Sequence, residues 1–383
     1  MSDLIKSTVQ FFRDSYKTNE FIPLHEPRFV GNEKKYLIDT IDSTFVSSVG
    51  PYVDKFEEHI AEISETKKGV AVVNGTAALQ VALQIAGVNK GDEVITQALT
   101  FVATVNAIKY NQAEPIFLDV DYDTMGLSPK SVEDFLTEHG EVREDGCYNQ
   151  LTNKRISACL PMHTFGFLVH LNELLEVCQK WKIPVVEDAA ESLGSTYFGK
   201  STGSFGQLGA FSFNGNKIVT AGGGGAIVSN DLTMANRAKH LTTTAKKDHA
   251  YEFNHDEIGY NFRMPNINAA LIFAQLEQLD NFIESKREQA ARCFEFFKSL
   301  GIQMRRENAN TRANYWLMCL ELDDILLRDD FLDKMNKAGV MTRPIWKLMY
   351  KLPMYSDCYR DHQTNAELLE QRIVNIPSSV IIE

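Results

Sequence analysis

The sequence predicts an α/β protein in which a mostly parallel seven-stranded sheet lies between layers of helices. Short apolar runs alternate with amphipathic stretches between about Gly69 and Asn230, and this alternation is typical of a parallel sheet covered on both faces. The alternation stops after about residue 245, which predicts a smaller α+β domain. We therefore divide the chain into a large domain (1–245, with the N-terminal segment) and a small C-terminal domain (246–383).

Seven apolar runs predict the strands of the large sheet: GVAVV (69–73), DEVIT (92–96), EPIFLDV (114–120), ISACLPM (156–162), IPVVED (183–188), GAFSF (209–213) and GAIVS (225–229). Helices are predicted between them over 77–86, 101–110 and 171–181. In the small domain, the apolar spacing predicts one long helix over 266–300. A strand at 315–322, a helix at 328–337 and a short strand at 339–343 are expected after it.

Composition excludes several classes of function. The net charge of −12 argues against a nucleic-acid surface, which would carry a basic patch. The chain lacks an apolar run of membrane-spanning length, and its start lacks the features of a signal peptide. Six cysteines are scattered without a CxxC pair, which favours reduced thiols in a cytoplasmic protein and gives no reason to expect a metal site.

Chemistry is expected just after the strands, because ligands of such sheets bind beyond the carboxyl ends of the strands. Gly75 and Thr76 follow the first strand, where a helix start would suit a phosphate or be a simple cap. Asp188 ends the fifth strand and could pair with a cationic nitrogen or be a satisfied cap. Phe101 could stack on a flat ligand or belong to the core, and Lys217 could be functional or a solvated surface group.

Taken together, these features match the needs of pyridoxal 5'-phosphate (PLP). Its aldehyde requires a lysine, its ring nitrogen a carboxylate, and its phosphate backbone donors. The stretch SFNGNKIVTAGGGGA (212–226) is not a P-loop, because its glycines follow Lys217 instead of preceding it. We interpret Gly222–Gly225 as a turn without side chains that returns the next strand close behind the cofactor. Replacing Gly223 with Val should then harm folding or cofactor retention.

The chain resembles the DegT/StrS family of nucleotide-sugar aminotransferases, which are fold-type-I enzymes dependent on PLP. The resemblance covers nearly the whole chain. The motifs that carry it are AVVNGTAAL, TFVATVNAI, VVEDAAESLGS, SFNGNKIVTAGGGGAIVS and GYNFRMPNINAAL. One departure is GFLVHLNEL (166–174), where relatives often carry a proline and an aspartate.

The resemblance implies these cofactor contacts: Gly75, Thr76 and Ser212 at the phosphate, Phe101 on the ring, Asp188 at the ring nitrogen, Glu191 near the ring hydroxyl, and Lys217 at the Schiff base. It also places His163 near the ring or substrate, and it implies catalytic roles for Lys217, Asp188 and His163. Relatives often carry Gln or His at the position of Glu191. A carboxyl group there donates a hydrogen bond only when it is protonated.

Within the family, the stretches SSVGPYVDKFEE, HDEIGYNFRMPN, NYWLM and TRPIWKLMYKLPMY resemble legionaminic-acid-type enzymes. This implies amino transfer from L-glutamate to a UDP-linked 2-acetamido-4-keto-6-deoxy hexose, for a cell-surface glycan. A GDP- or TDP-linked 4-keto-6-deoxy sugar is the alternative, because relatives acting on these share the same frame.

The resemblance also implies a homodimer with shared sites, in which Asn261 reaches the phosphate of the neighbouring subunit. Ser48 and Gly50 would lie beside the sugar. Tyr315, Arg343 and Trp346 are candidate contacts to the nucleotide, with a small-domain core and a surface arginine as the alternative.

Three other functions remain to be weighed. A pyridoxamine-dependent sugar 3-dehydratase would carry histidine in place of Lys217. A non-catalytic regulatory protein on the same frame is disfavoured by the retained Lys217 and Asp188. A dinucleotide oxidoreductase would need a GxGxxG motif after a strand, which the sequence lacks.

Overall fold

The computed structural model describes residues 2–382. Its helices are α1 (Ser2–Tyr16), α2 (Glu33–Asp42), α3 (Pro51–Ile63), α4 (Gly75–Ile85), α5 (Val102–Tyr110), α6 (Pro129–His139), α7 (Leu171–Lys180), α8 (Leu232–Thr242), α9 (Asn266–Leu276), α10 (Leu279–Ser299), α11 (Ile325–Lys337) and α12 (Thr364–Arg372). Short 3₁₀ helices cover Thr164–Gly166, Met349–Lys351 and Pro353–Tyr355.

The strands are β1 (Lys68–Val72), β2 (Glu93–Gln97), β3 (Glu114–Leu118), β4 (Gly140–Arg143), β5 (Gly146–Asn149), β6 (Lys154–Leu160), β7 (Val186–Asp188), β8 (Thr196–Tyr197), β9 (Lys200–Ser201), β10 (Leu208–Ser212), β11 (Gly225–Ser229), β12 (Gln303–Met304), β13 (Thr311–Arg312), β14 (Met318–Glu321), β15 (Arg343–Pro344) and β16 (Ile373–Ile376). The predicted α/β class is confirmed, and each of the seven predicted apolar runs overlaps a strand.

The predicted strands form two hydrogen-bonded sheets instead of one continuous sheet. Strands β1, β11, β10 and β7 form the first, and β3, β2, β6, β5 and β4 form the second. Isolated parallel bridges, Cys159–Val185 and Met162–Asp188, join β6 to β7. The ladder between these strands is incomplete because Pro161 has no N–H group to donate, although its carbonyl accepts from the N–H of Asp188 at 2.9 Å.

Strand direction in the joined sheet is mostly parallel. The pairs β2–β3, β2–β6 and β7–β10 are parallel, whereas β11 runs antiparallel to both β1 and β10. The hairpin β4–β5 was not predicted, and it pairs only with the first residues of β6. The C-terminal half of β6 is therefore left to bridge to β7, which places the end of β7 in the middle of the joined sheet.

Both outer strands of the joined sheet are capped by backbone from the C-terminal half. On β1, Val72 forms an antiparallel bridge with Arg263, and the N–H of Val73 donates to the carbonyl of Phe262 at 2.8 Å. On β3, the N–H of Phe117 donates to Tyr359 at 2.9 Å, and its carbonyl accepts from Asp361 at 3.1 Å.

The C-terminal part has its own small sheet, β12–β14–β16–β15, whose pairs are all antiparallel. Helices α10, α11 and α12 pack around it. The N-terminal helix α1 also packs there, since the rings of Phe11 and Phe296 stack with centroids 4.1 Å apart. The start of the chain thus packs against the C-terminal part, and its assignment to the large domain stays a prediction.

The predicted long helix over 266–300 is two helices, α9 and α10, separated at Glu277 and Gln278. The turn tightens there because the N–H of Gln278 donates to Gln275, three residues back. Helix α9 packs against α2 and α3 of the large part. The division at residue 245 stays a prediction, but α9 lies beyond it in sequence and on the large part in space.

Within residues 2–382, the helices include none that is long and apolar enough to cross a membrane.

Candidate active site

A cavity of about 300 Å³ opens at the carboxyl ends of β1, β7 and β10. Its walls come from both parts of the chain. The lining residues include Asn74, Gly75, Thr76, Phe101, Thr104, Asp188, Glu191, Ser212, Asn216, Lys217, Trp316 and Trp346. We call Gly75, Thr76, Asp188, Ser212 and Lys217 the floor of the cavity, and Phe101, Trp316 and Trp346 its aromatic wall.

The first part of the floor is the start of helix α4. Asn74 is the N-cap, and its side-chain oxygen accepts from the N–H of Ala77 at 2.8 Å. The first intrahelical bond runs from Ala78 to the carbonyl of Asn74. Because the N–H groups of Gly75 and Thr76 come before these bonded donors, they have no partner within the helix and lie at the positive end of its dipole, as an anion site requires.

Close packing at this helix start explains two glycines. A Cβ on Gly75 would lie 2.8 Å from the Cβ of Ser212, so the helix can approach β10 only without a side chain there. A Cβ on Gly225 would lie 2.4 Å from the backbone carbon of Asn74. Glycine at both positions therefore holds the helix start against β10 and β11 and brings Ser212 beside the free N–H groups.

Asp188 lies at the end of β7 with 2% of its surface exposed. One carboxylate oxygen accepts from the Thr104 hydroxyl at 2.7 Å, and the other accepts from the N–H of Ala190 at 3.2 Å. Burial raises the pKa of Asp188 above its usual value, and these hydrogen bonds and the charge of Lys217 offset only part of that rise. The bonds thus favour a charged carboxylate, which is the form that pairs with a protonated ring nitrogen.

Lys217 follows β10 on a tight turn, in which its N–H donates to the carbonyl of Asn214 at 3.0 Å. Its ammonium nitrogen Nζ lies 3.2 Å from Oε1 of Glu191 and 4.0 Å from the ring centroid of Trp316. The Lys217 and Glu191 side chains are only 12% and 2% exposed. The lysine therefore points into the cavity and is not a solvated surface group.

The aromatic wall faces the floor. Phe101 is 48% exposed, and its ring centroid lies 6.2 Å from that of Trp346. Trp346 packs in turn on Phe165, with centroids 4.7 Å apart. The indole N–H of Trp316 donates to the carbonyl of Asn216 at 2.7 Å, which fixes the ring beside Lys217. An exposed ring at the cavity mouth suits stacking on a flat ligand.

These residues fit PLP. The free N–H groups of α4 and the Ser212 hydroxyl suit the phosphate, Asp188 suits the ring nitrogen, and Lys217 lies within the same cavity. Because Gly75 has no side chain, Ser212 can lie directly beside the start of α4, where the phosphate is expected.

The chain matches the DegT/DnrJ/EryC1/StrS aminotransferase family over residues 27–383. It belongs to that family. It is 38% identical over 359 residues to GDP-perosamine synthase of Escherichia coli O157:H7, covering 94% of this chain and 93% of that protein. It is 35% identical over 339 residues to GDP-perosamine synthase of Vibrio cholerae, covering 87% of each. The crystal structure of DesI with its TDP-sugar product superimposes with a TM-score of 0.82 at 26% identity, covering 96% of this chain and 91% of that one.

This DegT-family chain is therefore a PLP-dependent aminotransferase. The floor residues, Phe101 and Glu191 lie together in one cavity, as predicted. Their individual roles toward the cofactor stay predictions.

His163 lies behind the floor and not in the cavity wall. It is fully buried, and its Nε2 lies 3.2 Å from Oε2 of Glu187. Burial raises the pKa of Glu187, but His163 and the N–H groups of Gly203 and Gly206 outweigh this and hold it below its usual value. A catalytic contact of His163 with a ligand has no support from this placement, because the histidine is enclosed by protein.

Two predicted nucleotide contacts also lie outside the cavity. Tyr315 is 3% exposed, and its ring packs edge-on against Phe167 with centroids 5.5 Å apart. The backbone of Tyr315 is left-handed, with φ of 47°. Its side chain therefore does not follow the alternation of faces that a strand would give, and Trp316 is the residue that faces the cavity. Arg343 is exposed on β15 and lines a separate surface hollow near α11.

The remaining predicted residues lie toward a second cavity of about 310 Å³. Ser48 lines it together with Lys239, Lys246, Lys247 and Arg263. Asn261 lies beside it, since its side-chain oxygen accepts from Arg263 at 2.9 Å.

Gly50 has a packing role near this second cavity. A Cβ at Gly50 would lie 2.3 Å from the side chain of Asn266, which accepts the N–H of Tyr52 and thereby holds the start of α3. Its predicted place beside the sugar therefore has no support from these contacts.

The glycine run differs in detail from the prediction. A Cβ at Gly223 would meet only the carbonyl oxygen of Val73, at 3.9 Å. The close approaches are at Gly225 and at Gly224, which has φ of 136° and where a Cβ would lie 2.8 Å from Ile272. The predicted sensitivity of Gly223 thus belongs to Gly224 and Gly225.

Among the lining residues that sequence reasoning missed are Thr104 and Trp316. Thr104 lies in the quoted motif TFVATVNAI, four residues after Thr100, and its hydroxyl reaches Asp188 because both belong to the carboxyl end of the sheet. Trp316 stands next to the predicted Tyr315, and only the left-handed backbone at Tyr315 decides which ring faces inward.

Proposed function

We propose that this enzyme transfers the amino group of L-glutamate to the keto carbon of a GDP-linked 4-keto-6-deoxy sugar, of the perosamine type. The observation that carries the proposal is the convergence of Lys217, Asp188 and the free start of α4 on one cavity. The GDP-linked substrate is supported by the GDP-perosamine synthases of three bacteria, which are 38%, 35% and 32% identical to this chain.

When bound, PLP supplies an electrophilic carbon and an electron sink. Asp188 would keep the ring nitrogen protonated through its buried carboxylate. Lys217 would hold the cofactor covalently and, once free, would move a proton at Nζ between the amino donor's α carbon and the cofactor. The N–H groups of Gly75 and Thr76 and the Ser212 hydroxyl would bind the phosphate, and the aromatic wall would exclude water from the ring face.

The sequence stretches that resemble legionaminic-acid-type enzymes favoured a UDP-linked sugar. The relatives named above favour the GDP-linked alternative instead. The UDP-linked sugar is therefore kept as a second substrate in the test.

We also propose a homodimer. Asn261 and the basic second cavity do not face the floor of their own chain. Strongly exposed apolar side chains lie in the neighbouring segments, among them Val49 (65%), Tyr251 (79%), Phe253 (78%) and Ile258 (88%). A second copy covering this surface would bury them and bring Asn261 toward the other subunit's cofactor. Light scattering should show a dimer, and an active monomer would contradict this.

The substrate test incubates the PLP-loaded enzyme with L-glutamate and each of three 4-keto-6-deoxy sugars, linked to GDP, UDP or TDP. Mass spectrometry should detect an aminated sugar nucleotide, and the GDP-linked substrate should be used best. Preference for the UDP-linked sugar would overturn the nucleotide assignment alone. Failure of glutamate to change the cofactor's visible absorbance would overturn the choice of amino donor.

A further inference from the structure

Lys217 has a carboxyl partner, and the contact is well defined. Nζ lies 3.2 Å from Oε1 of Glu191. The other carboxylate oxygen, Oε2, accepts from the N–H of Phe165 at 2.9 Å. One oxygen of Glu191 is thus fixed by the backbone, and the other is left to face the lysine.

Both side chains of this pair are largely buried at the wall of the cavity. The two side chains are 12% and 2% exposed. The charged groups that face Glu191 are Lys217, on the turn after β10, and Asp188, at the end of β7, while Phe165 contributes an uncharged N–H. Burial raises the pKa of Glu191 to about 7, and Asp188 adds to this, whereas Lys217 and Phe165 oppose it.

Lys217 has to lose a proton before it can react, because only the neutral amine forms a bond to carbon. The ring of Trp316, 4.0 Å from Nζ, stabilises the ammonium form and cannot accept a proton. Among residues 2–382, Nζ donates a hydrogen bond to Glu191 alone. Glu191 is therefore the protein group in position to accept the proton of Lys217 Nζ.

We propose that Glu191 is the proton acceptor that makes Lys217 reactive. One proton moves from Nζ to Oε1, which converts an ammonium and a carboxylate into a neutral amine and a carboxylic acid. The reverse transfer restores the ammonium when the lysine has to act as an acid. This proposal rests on the proposed role of Lys217 as the residue that bonds the cofactor.

The pair predicts a distinctive pH dependence. Below the pKa of Glu191, both groups are protonated and the neutral amine is scarce. Above it, the pair holds one shared proton, so the fraction of neutral amine no longer depends on pH until that proton is lost as well. A lysine without a titrating partner would instead gain about tenfold in neutral amine with each pH unit below its own pKa.

The experiment measures attachment of PLP to cofactor-free protein by stopped-flow absorbance, from about pH 6 to about pH 9. Wild-type protein is compared with Glu191→Gln, whose carbonyl can still accept from Phe165. The cofactor's own ionisation cancels in the ratio of the two rate constants. We expect the ratio of Gln variant to wild type to rise about tenfold per pH unit just above pH 7.

A flat ratio over this range would overturn the proposal. Glu191→Asp keeps a carboxyl group, and its rate should again become level with pH, as in the wild type. Circular dichroism and thermal melting establish whether each variant is folded. If Glu191→Gln does not fold, the test uses Glu191→Asp alone. An attachment rate for Glu191→Asp that rises about tenfold with each pH unit would then contradict the proposal. If wild-type protein attaches no cofactor, or if Lys217→Ala attaches it equally well, the role of Lys217 itself is wrong.

Discussion

The floor and the aromatic wall of the cavity are built in different ways. Floor residues lie immediately after strands or at a helix start, and backbone bonds and close glycine contacts hold them in place. The wall combines Phe101 with two tryptophans from the C-terminal part, which are held by ring packing and one indole hydrogen bond. From this difference we expect substitutions in the floor to affect the chemical step, and substitutions in the wall to affect mainly the affinity for ligands.

The largest expected effect follows from removing the lysine on the floor. Lys217→Ala should abolish covalent attachment of PLP and catalytic turnover, because no other amine lines the cavity among residues 2–382. The visible absorbance of the loaded protein and product formation from L-glutamate measure the two effects. Lys182→Ala, at an exposed lysine, is the control and should behave as wild type. Normal turnover by Lys217→Ala without added amine would contradict the mechanism.

Asp188→Asn keeps the shape of the floor and removes its buried charge. Losing one partner of a buried charge pair costs about 3–5 kcal/mol, so turnover should fall by roughly 150- to 5,000-fold. Steady-state rates with saturating L-glutamate and sugar nucleotide test this. Thr104→Val, which removes only the hydroxyl bonded to Asp188, should cost less. Equal losses in both variants would indicate that the charge itself has no role.

The glycine run tests the floor's packing apart from its chemistry. Gly225→Ala should destabilise the protein by about 1–3 kcal/mol, since its Cβ would overlap the backbone of Asn74. Gly223→Ala should be nearly neutral, because its Cβ would meet little protein. Urea unfolding of both cofactor-free variants measures the difference. Equal stabilities would show that β11 does not need to approach α4 so closely.

The wall should give the smallest effect. Trp316→Leu removes a cation–π contact of about 0.5–2 kcal/mol, together with the bond to Asn216. PLP should still attach, and turnover should fall by less than about thirtyfold. Trp316→Phe, which keeps a ring but no N–H, should lose less than the leucine variant. A complete loss of attachment in Trp316→Leu would place this tryptophan with the floor.

The same contrast explains what the sequence could predict. Lys217 and Asp188 could be found because a strand end places its next side chain at one edge of the sheet whatever the rest of the chain does. His163 also follows a strand, but the buried Glu187 holds its ring away from the cavity. Tyr315 and Trp316 could not be told apart, because a left-handed residue reverses the choice of face. The break between α9 and α10 could not be predicted either, because the apolar spacing continues across it.

The covered margins of the joined sheet have a consequence for handling this protein. An open strand edge is a template for pairing with other chains and promotes aggregation. Here Phe262 and Arg263 protect β1, and the segment from Tyr359 to Asp361 protects β3. A fragment ending near residue 245 would therefore expose two unpaired strand edges. Because such edges promote aggregation, we expect that the two parts of the chain have to be expressed as one polypeptide.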